Sequence, residues 1–199
     1  GVGNDLSDWA KIESQALLLY GSMTELDPNA AVIACLCYDT PDNVLSGGAA
    51  QWDAMVGAGE IADTLTSATA YLDGKHVTMI GHSYGSVVMG WGLQHYGFNQ
   101  LADDFIAIGS PGMGTNRYRD LNIAPGLLWV GQAADDLIAR YGPHGKQPHR
   151  LAGAQRFGTG GAKGHSEYYE GESLYNMARI ATGHTDPVSP FVSPWRPRP

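Results

Sequence analysis

Residues 76 to 88 read HVTMIGHSYGSVV, and the reading of this stretch decides the fold. Val77, Met79 and Ile80 make a short apolar strand, Gly81-His82-Ser83-Tyr84-Gly85 follows, and then comes a run able to start a helix. Strand, G-x-S-x-G, helix is the order of a nucleophile elbow, a sharp turn that presents a serine hydroxyl at the top of a sheet. A serine on so tight a turn sits in strained backbone, so Gly81 and Gly85 are expected to leave room for the neighbouring strand and helix. The helix points its N-terminus at the serine, where the backbone N–H of Tyr84 can face a developing oxyanion.

Working outward, 199 residues are enough for one well-buried domain and short for two. A hydrophobic share of 43% with 16% charged residues is that of a globular chain and argues against wholesale disorder. The net charge of -8 carries no basic cluster, which argues against nucleic-acid and anionic-membrane partners. No apolar run approaches the roughly 20 residues that a membrane-crossing helix needs. Cys35 and Cys37 lie two apart in a strand-like run, an awkward spacing for a mutual disulfide, and read better as two small buried hydrophobes.

In chain order, Asp5 or Ser7 can cap a helix running to about Tyr20, where Gly21 is expected to stop it. Ala31 to Tyr38 (AVIACLCY) reads as a strand apolar on both faces, as in a parallel sheet covered by helices. A long helix is expected from about Ala49 to Leu72, then the elbow strand and its helix, ending near Gly97. Phe105 to Ile108 and Leu127 to Gly131 read as further strands, Gln155 to Phe157 as a short one, and Ser173 to Thr182 as the last helix. Strands alternating with helices define an α/β fold with a largely parallel sheet. One α/β domain is expected over residues 1–183, with a proline-rich tail at 184–199.

A serine hydroxyl needs a base to take its proton and a third group to fix that base's tautomer. In the α/β-hydrolase order the acid and then the histidine follow the serine along the chain. Asp135-Asp136 follows the strand LLWVG, and His165 lies just before the last helix. Asp136 is preferred as the acid because Ile138, two residues on, can anchor the loop in the core, leaving Asp135 as a solvated neighbour or helix cap. His82 adjoins the nucleophile on a turn and cannot easily face it. His144 and His149 sit in a polar loop whose spacing matches no metal-ligand pattern, so no metal and no cofactor are called for. The second oxyanion donor is expected in Gly1-Val2-Gly3-Asn4, with Val2 N–H as the candidate. Met113 and Tyr118, in the loop from Ser110 to Gly126, are read as lining the pocket for an acyl or aromatic group.

Taken together, VIACLCYDTPD, VTMIGHSYGS, FIAIGSPGMG, LLWVGQAADDLIA and GHSEYY resemble the small serine α/β-hydrolases common in actinobacteria, catalogued as a domain of unknown function. The resemblance covers most of the chain to about Gly183. It implies the α/β-hydrolase fold and gives Ser83, Asp136 and His165 the triad roles. In the family the glycine-rich loop follows a strand lying between the one that ends at Tyr38 and the one that ends at Ile80, whereas here that loop opens the sequence. An upstream segment or a second chain is therefore expected to complete the sheet.

The sequence thus reads as a serine hydrolase of the esterase or lipase type acting on a small-molecule or lipid ester. Two alternatives stay open: amide, peptide or phospholipid acyl cleavage with the same triad, and a non-catalytic binding or scaffold domain that keeps a vestigial site.

Overall fold

The structure, a computed structural model, describes residues 8–38, 40 and 47–185. Among these, helix α1 spans Trp9–Thr24 and α2 Gly47–Leu72. Strand β1 (Thr78–His82) leads into α3 (Tyr84–His95), followed by β2 (Asp104–Ile108), β3 (Leu128–Gly131), α4 (Leu137–Tyr141), β4 (Gln155–Arg156) and α5 (Gly171–Ala181). The strands form one sheet in the order β1-β2-β3-β4, and every pairing is parallel.

The run DFIAI of β2 is buried along its whole length because both faces of the sheet are covered. Side chains alternate between faces along a strand, and two hydrophobic clusters follow that alternation. Phe105 and Ala107 of β2 with Leu128 and Val130 of β3 meet Val87, Val88 and Leu93 of α3 and Ala54 and Ala58 of α2. On the other face Ile106, Ile108 and Trp129 meet Leu19 and Met23 of α1 and Met177 and Ile180 of α5. Each such side chain contributes about 1.5–3 kcal/mol when fully buried. At the amino ends of the strands the Trp129 indole N–H donates to Asp104 Oδ1 at 2.7 Å, and His76 Nε2 lies 3.3 Å from the other carboxylate oxygen.

Four expectations are corrected here. Gly21 does not stop α1: a glycine inside a helix costs only about 1 kcal/mol, and the burial of Leu19 and Met23 against α5 carries the helix on to Thr24. Ala31 to Tyr38 is not a ladder strand: it pairs with no strand among the described residues, and Ile33 within it is 73% exposed. Cys35 and Cys37 are not two buried hydrophobes but are bonded to each other, with Cα atoms 5.2 Å apart, inside the range a disulfide spans. Met113 and Tyr118 are core residues: Met113 is fully buried against Gly90 of α3, and the buried Tyr118 donates its hydroxyl to Ala124 O at 2.8 Å. Polar loop composition hid a buried function, that of tying the 110–126 segment onto α3. The cap residues Asp5 and Ser7, the loop with Val2 and most of the proline-rich tail lie outside the described residues.

Among the described residues β1 forms one edge of this sheet. Ser83 N–H donates to Ile108 O and Asp103 N–H donates to Val77 O, so residues 77, 79, 81 and 83 face β2. Thr78, Ile80 and His82 therefore turn their backbone groups toward the other edge, where no described strand pairs with them.

At the elbow, Ser83 has φ 55 and ψ -127, a region that residues with a side chain rarely occupy. A Cβ on Gly81 would fall 2.8 Å from the backbone N and Cα of Ser86, whereas one on Gly85 would meet nothing among the described residues closer than the Tyr38 hydroxyl at 3.9 Å. The two glycines are thus not equivalent, as the motif alone implies. Gly81→Ala is expected to destabilise the protein by about 1–3 kcal/mol, and Gly85→Ala to change it by less than about 1 kcal/mol. Chemical denaturation of the two variants side by side checks this, and equal costs would show that the crowding lies elsewhere.

Candidate active site

All the side chains of the site sit at the carboxyl ends of the parallel strands, where an α/β sheet opens its crevice. β1 delivers Ser83, the segment after β3 delivers Asp136, and the loop after β4 delivers His165. Each adjacent pair of strands is locked in register, so the four loops start at fixed offsets from one another.

The structure brings the three residues together. Ser83 is 6% exposed, and its Oγ lies 2.7 Å from His165 Nε2. His165 Nδ1 lies 2.9 Å from Asp136 Oδ2 and 3.0 Å from Oδ1. With Nδ1–H donating to the carboxylate, Nε2 keeps its lone pair for the serine proton. Asp136 is 1% exposed and accepts two further bonds, from Ala139 N–H at 2.9 Å and from the Tyr168 hydroxyl at 2.6 Å. Burial by itself would push the Asp136 carboxyl up. The hydrogen bonds from His165, Ala139 and Tyr168 outweigh it and hold the group below its ordinary value.

The reason given for preferring Asp136 does not hold, although the residue does lie beside the histidine. Ile138 is 40% exposed rather than seated in the core, and Asp136 is fixed because it caps α4. Asp135 is exposed, yet its Oδ1 accepts from Gly164 N–H at 2.8 Å and so holds the residue before His165. Gly109, at the end of β2 with φ +54, makes space for the whole arrangement. A Cβ there would lie 2.9 Å from the Tyr168 ring, 3.1 Å from Asp136 Oδ2 and 3.3 Å from His165 Cε1. Behind the elbow, the Ser86 hydroxyl lies 2.6 Å from both Ser83 O and the Ser110 hydroxyl.

Tyr84 is the first residue of α3, where backbone N–H groups have no partner within the helix and carry the positive end of its dipole. Its buried ring meets that of His144 edge-on at 5.7 Å, and burial above all raises its hydroxyl pKa. Val2 lies outside the described residues. His149 is held neutral, pushed down to about 4 first by burial and then by Arg156 and Arg150. No group of three or more His, Cys, Asp or Glu among the described residues is placed to hold a metal ion.

Sequence reasoning missed His82 and Tyr168. His82 Nε2–H donates to the backbone carbonyl of His165 at 2.8 Å, and Tyr168 binds both Asp136 and Ala133 N–H. A signal existed: strand alternation places His82 on the face of Ile80, which packs into the cluster that holds Tyr168. It becomes readable only once the loop at 165–169 is known to cover that face.

This chain belongs to the alpha/beta hydrolase family: a family model of that description matches residues 9–146, a span that includes Ser83 and Asp136 but ends before His165. Similar proteins include an uncharacterized protein of Mycobacterium tuberculosis, 32% identical over 129 residues covering 62% of this chain and 47% of that protein. An uncharacterized protein of Mycobacterium bovis matches to the same extent. A second uncharacterized M. tuberculosis protein is 28% identical over 213 residues, covering 87% of this chain and 32% of that protein. The chain thus spans less than half the length of these relatives. Membership of the family supports a hydrolase.

A carboxyl whose folded pKa is depressed stabilises the fold above its unfolded pKa of about 4, and that contribution fades as pH falls through the lower folded value. Asp136→Asn is therefore expected to melt below the parent protein near neutral pH, with the gap closing below about pH 4. A gap unchanged on acidification would mean that the carboxylate charge is not what the site holds.

Proposed function

We propose that the chain is a serine hydrolase of the esterase or lipase type, cleaving carboxylic esters of small molecules or lipids through an acyl-enzyme. The observation that carries this is the chain of contacts from the Ser83 hydroxyl to His165 Nε2 and from His165 Nδ1 to a buried Asp136, with the serine on a strained turn. Ser83 Oγ bonds to the ester carbonyl carbon as its proton passes to His165 Nε2. His165 then gives that proton to the departing alcohol, and water repeats the sequence to release the acid. Asp136 holds the tautomer and steadies the imidazolium. The N–H of Tyr84 serves the oxyanion, with Val2 as the second donor. The chemistry asks for no metal and no cofactor.

Amide, peptide or phospholipid acyl cleavage would use the same side chains, with His165 protonating the departing amine or alcohol, and stands as the alternative that a comparison of substrates decides. Against a vestigial binding domain stands the coherence of the site: all three polar side chains are oriented, and the acid has three donors.

The edge of β1 that no described strand covers supports a second proposal. A further strand, from an upstream segment or a second chain, pairs with Thr78, Ile80 and His82, because backbone groups beside a nucleophile strand are costly to leave unpaired.

A fluorophosphonate probe is expected to label Ser83 alone, as read by peptide mapping, and Ser83→Ala is expected to abolish labelling and to lower ester turnover by at least about a thousandfold. A folded sample that stays unlabelled would favour the binding-domain reading, and faster turnover of matched anilides than of esters would favour the amidase. For the sheet edge, hydrogen exchange in the protein as isolated is expected to be as slow at Thr78, Ile80 and His82 as at Met79 and Gly81. Exchange at the rate of open chain at those three amides would remove the added strand.

A further inference from the structure

We propose that His82 is a positioning residue for His165, holding the backbone of the general base with a hydrogen bond and its ring with a face of imidazole. The proposal rests on the hydrolase reading of Ser83 and extends it by one residue that neither the motif nor the triad assigns.

The loop that carries His165 has little regular structure of its own. Between β4 and the 3-10 turn at Glu167–Tyr169 it passes through Gly160, Gly161 and Gly164, two of them with positive φ. What fixes it comes partly from its own turn and partly from other elements. Asp135 holds the N–H of Gly164, and Glu167 Oε2 accepts from Lys163 N–H at 3.1 Å. His82 holds the carbonyl of His165 itself, at 2.8 Å from Nε2. The His82 ring also lies 5.1 Å from the His165 ring, tilted by 36°, and 5.7 Å from the Tyr168 ring.

His82 is joined by a single peptide bond to Ser83, the residue that His165 must reach. The contact therefore ties the base's loop to the nucleophile's own strand rather than to a distant part of the fold. A site of this kind works only when its groups stay within about 0.5 Å of productive geometry.

The chemistry of the ring suits the task. A carbonyl accepts, so Nε2 of His82 must carry a proton. Burial first of all pushes the imidazole down to about 4, so the ring carries that single proton and no charge near neutral pH. A charged ring there would repel the imidazolium that His165 becomes when it takes the serine proton. The neutral ring gives packing and a donor without that penalty. Among the described residues, Asp136 and Tyr168 are the other titratable groups facing the pair, and they bind each other at 2.6 Å. A purely structural histidine would be served equally well by any buried ring, and this is the distinction to test.

His82→Phe keeps a ring and removes the donor, while His82→Gln keeps an N–H near the same place. Each is compared with the parent protein by Ser83 labelling rate, ester kinetics, melting temperature and the downfield proton resonance of His165 Nδ1–H. His82→Phe is expected to lower kcat and labelling rate about 10- to 100-fold, with KM changed less than about twofold and melting shifted by less than about 3 °C. Its Nδ1–H resonance should broaden or move, and His82→Gln should recover most of the rate and the resonance. Parent-like rates and resonance in His82→Phe would overturn the proposal, as would a His82→Gln variant that is as slow as His82→Phe. Should His82→Phe not fold, His82→Asn, whose shorter amide cannot span the contact, takes its place with the same expectations. If the parent protein itself is not labelled, the hydrolase reading fails, while the resonance of the parent and the variants still decides whether His82 holds His165.

Discussion

A serine held at φ 55 is the constraint on which this molecule turns. Such a conformation costs on the order of 1–3 kcal/mol and persists only where its surroundings over-determine it. Here the Ser83 N–H is tied to Ile108 O of the neighbouring strand and its carbonyl accepts from both the backbone N–H and the hydroxyl of Ser86. The missing side chain of Gly81 lets α3 come close enough for those bonds to form. Strand β1, the tight turn and α3 are thus one device, and the buried residues of α3 hold it against the sheet. The Ser83 hydroxyl makes no cap bond to its own helix and meets His165 Nε2 instead.

The sheet then acts as a ruler. Because β1, β2 and β3 are parallel and in register, the segments leaving their carboxyl ends emerge side by side. Gly109, which contributes no side chain, leaves the middle position empty so that the groups from the flanking loops meet above it. The placement of Asp136 depends on a short helix that it caps and not on a hydrophobic anchor. A local interaction, one turn long, thereby fixes a long-range contact with His165.

Much of this was legible in the sequence, for reasons that differ from residue to residue. The elbow could be read because a strand, two glycines and a helix must occur together for that turn to exist. Ser83, Asp136 and His165 could be ordered along the chain because each follows a strand or precedes the last helix. Gly21 misled because propensity is a weak force beside the packing of α1 on α5. AVIACLCY misled because an apolar run reports extension and partial burial but not whether a neighbouring strand is there to pair with it. Met113 and Tyr118 misled because a loop rich in turn residues gives no sign that its few apolar members point inward. His82 and Tyr168 could not be found from sequence alone, since their partners lie 83 and 32 residues away and are met only after folding.

The Tyr168 hydroxyl has a consequence of another kind. It accepts from the N–H of Ala133, at the start of the loop after β3, and donates to Asp136, at its end, while Tyr168 itself follows His165 by three residues. The loop of Asp136 and the loop of His165 are thereby stitched into a closed circuit whose links are all short. A closed circuit does not fray from one end. Motion that lifts Tyr168 away therefore loosens the Asp136 loop and the His165 loop in a single event.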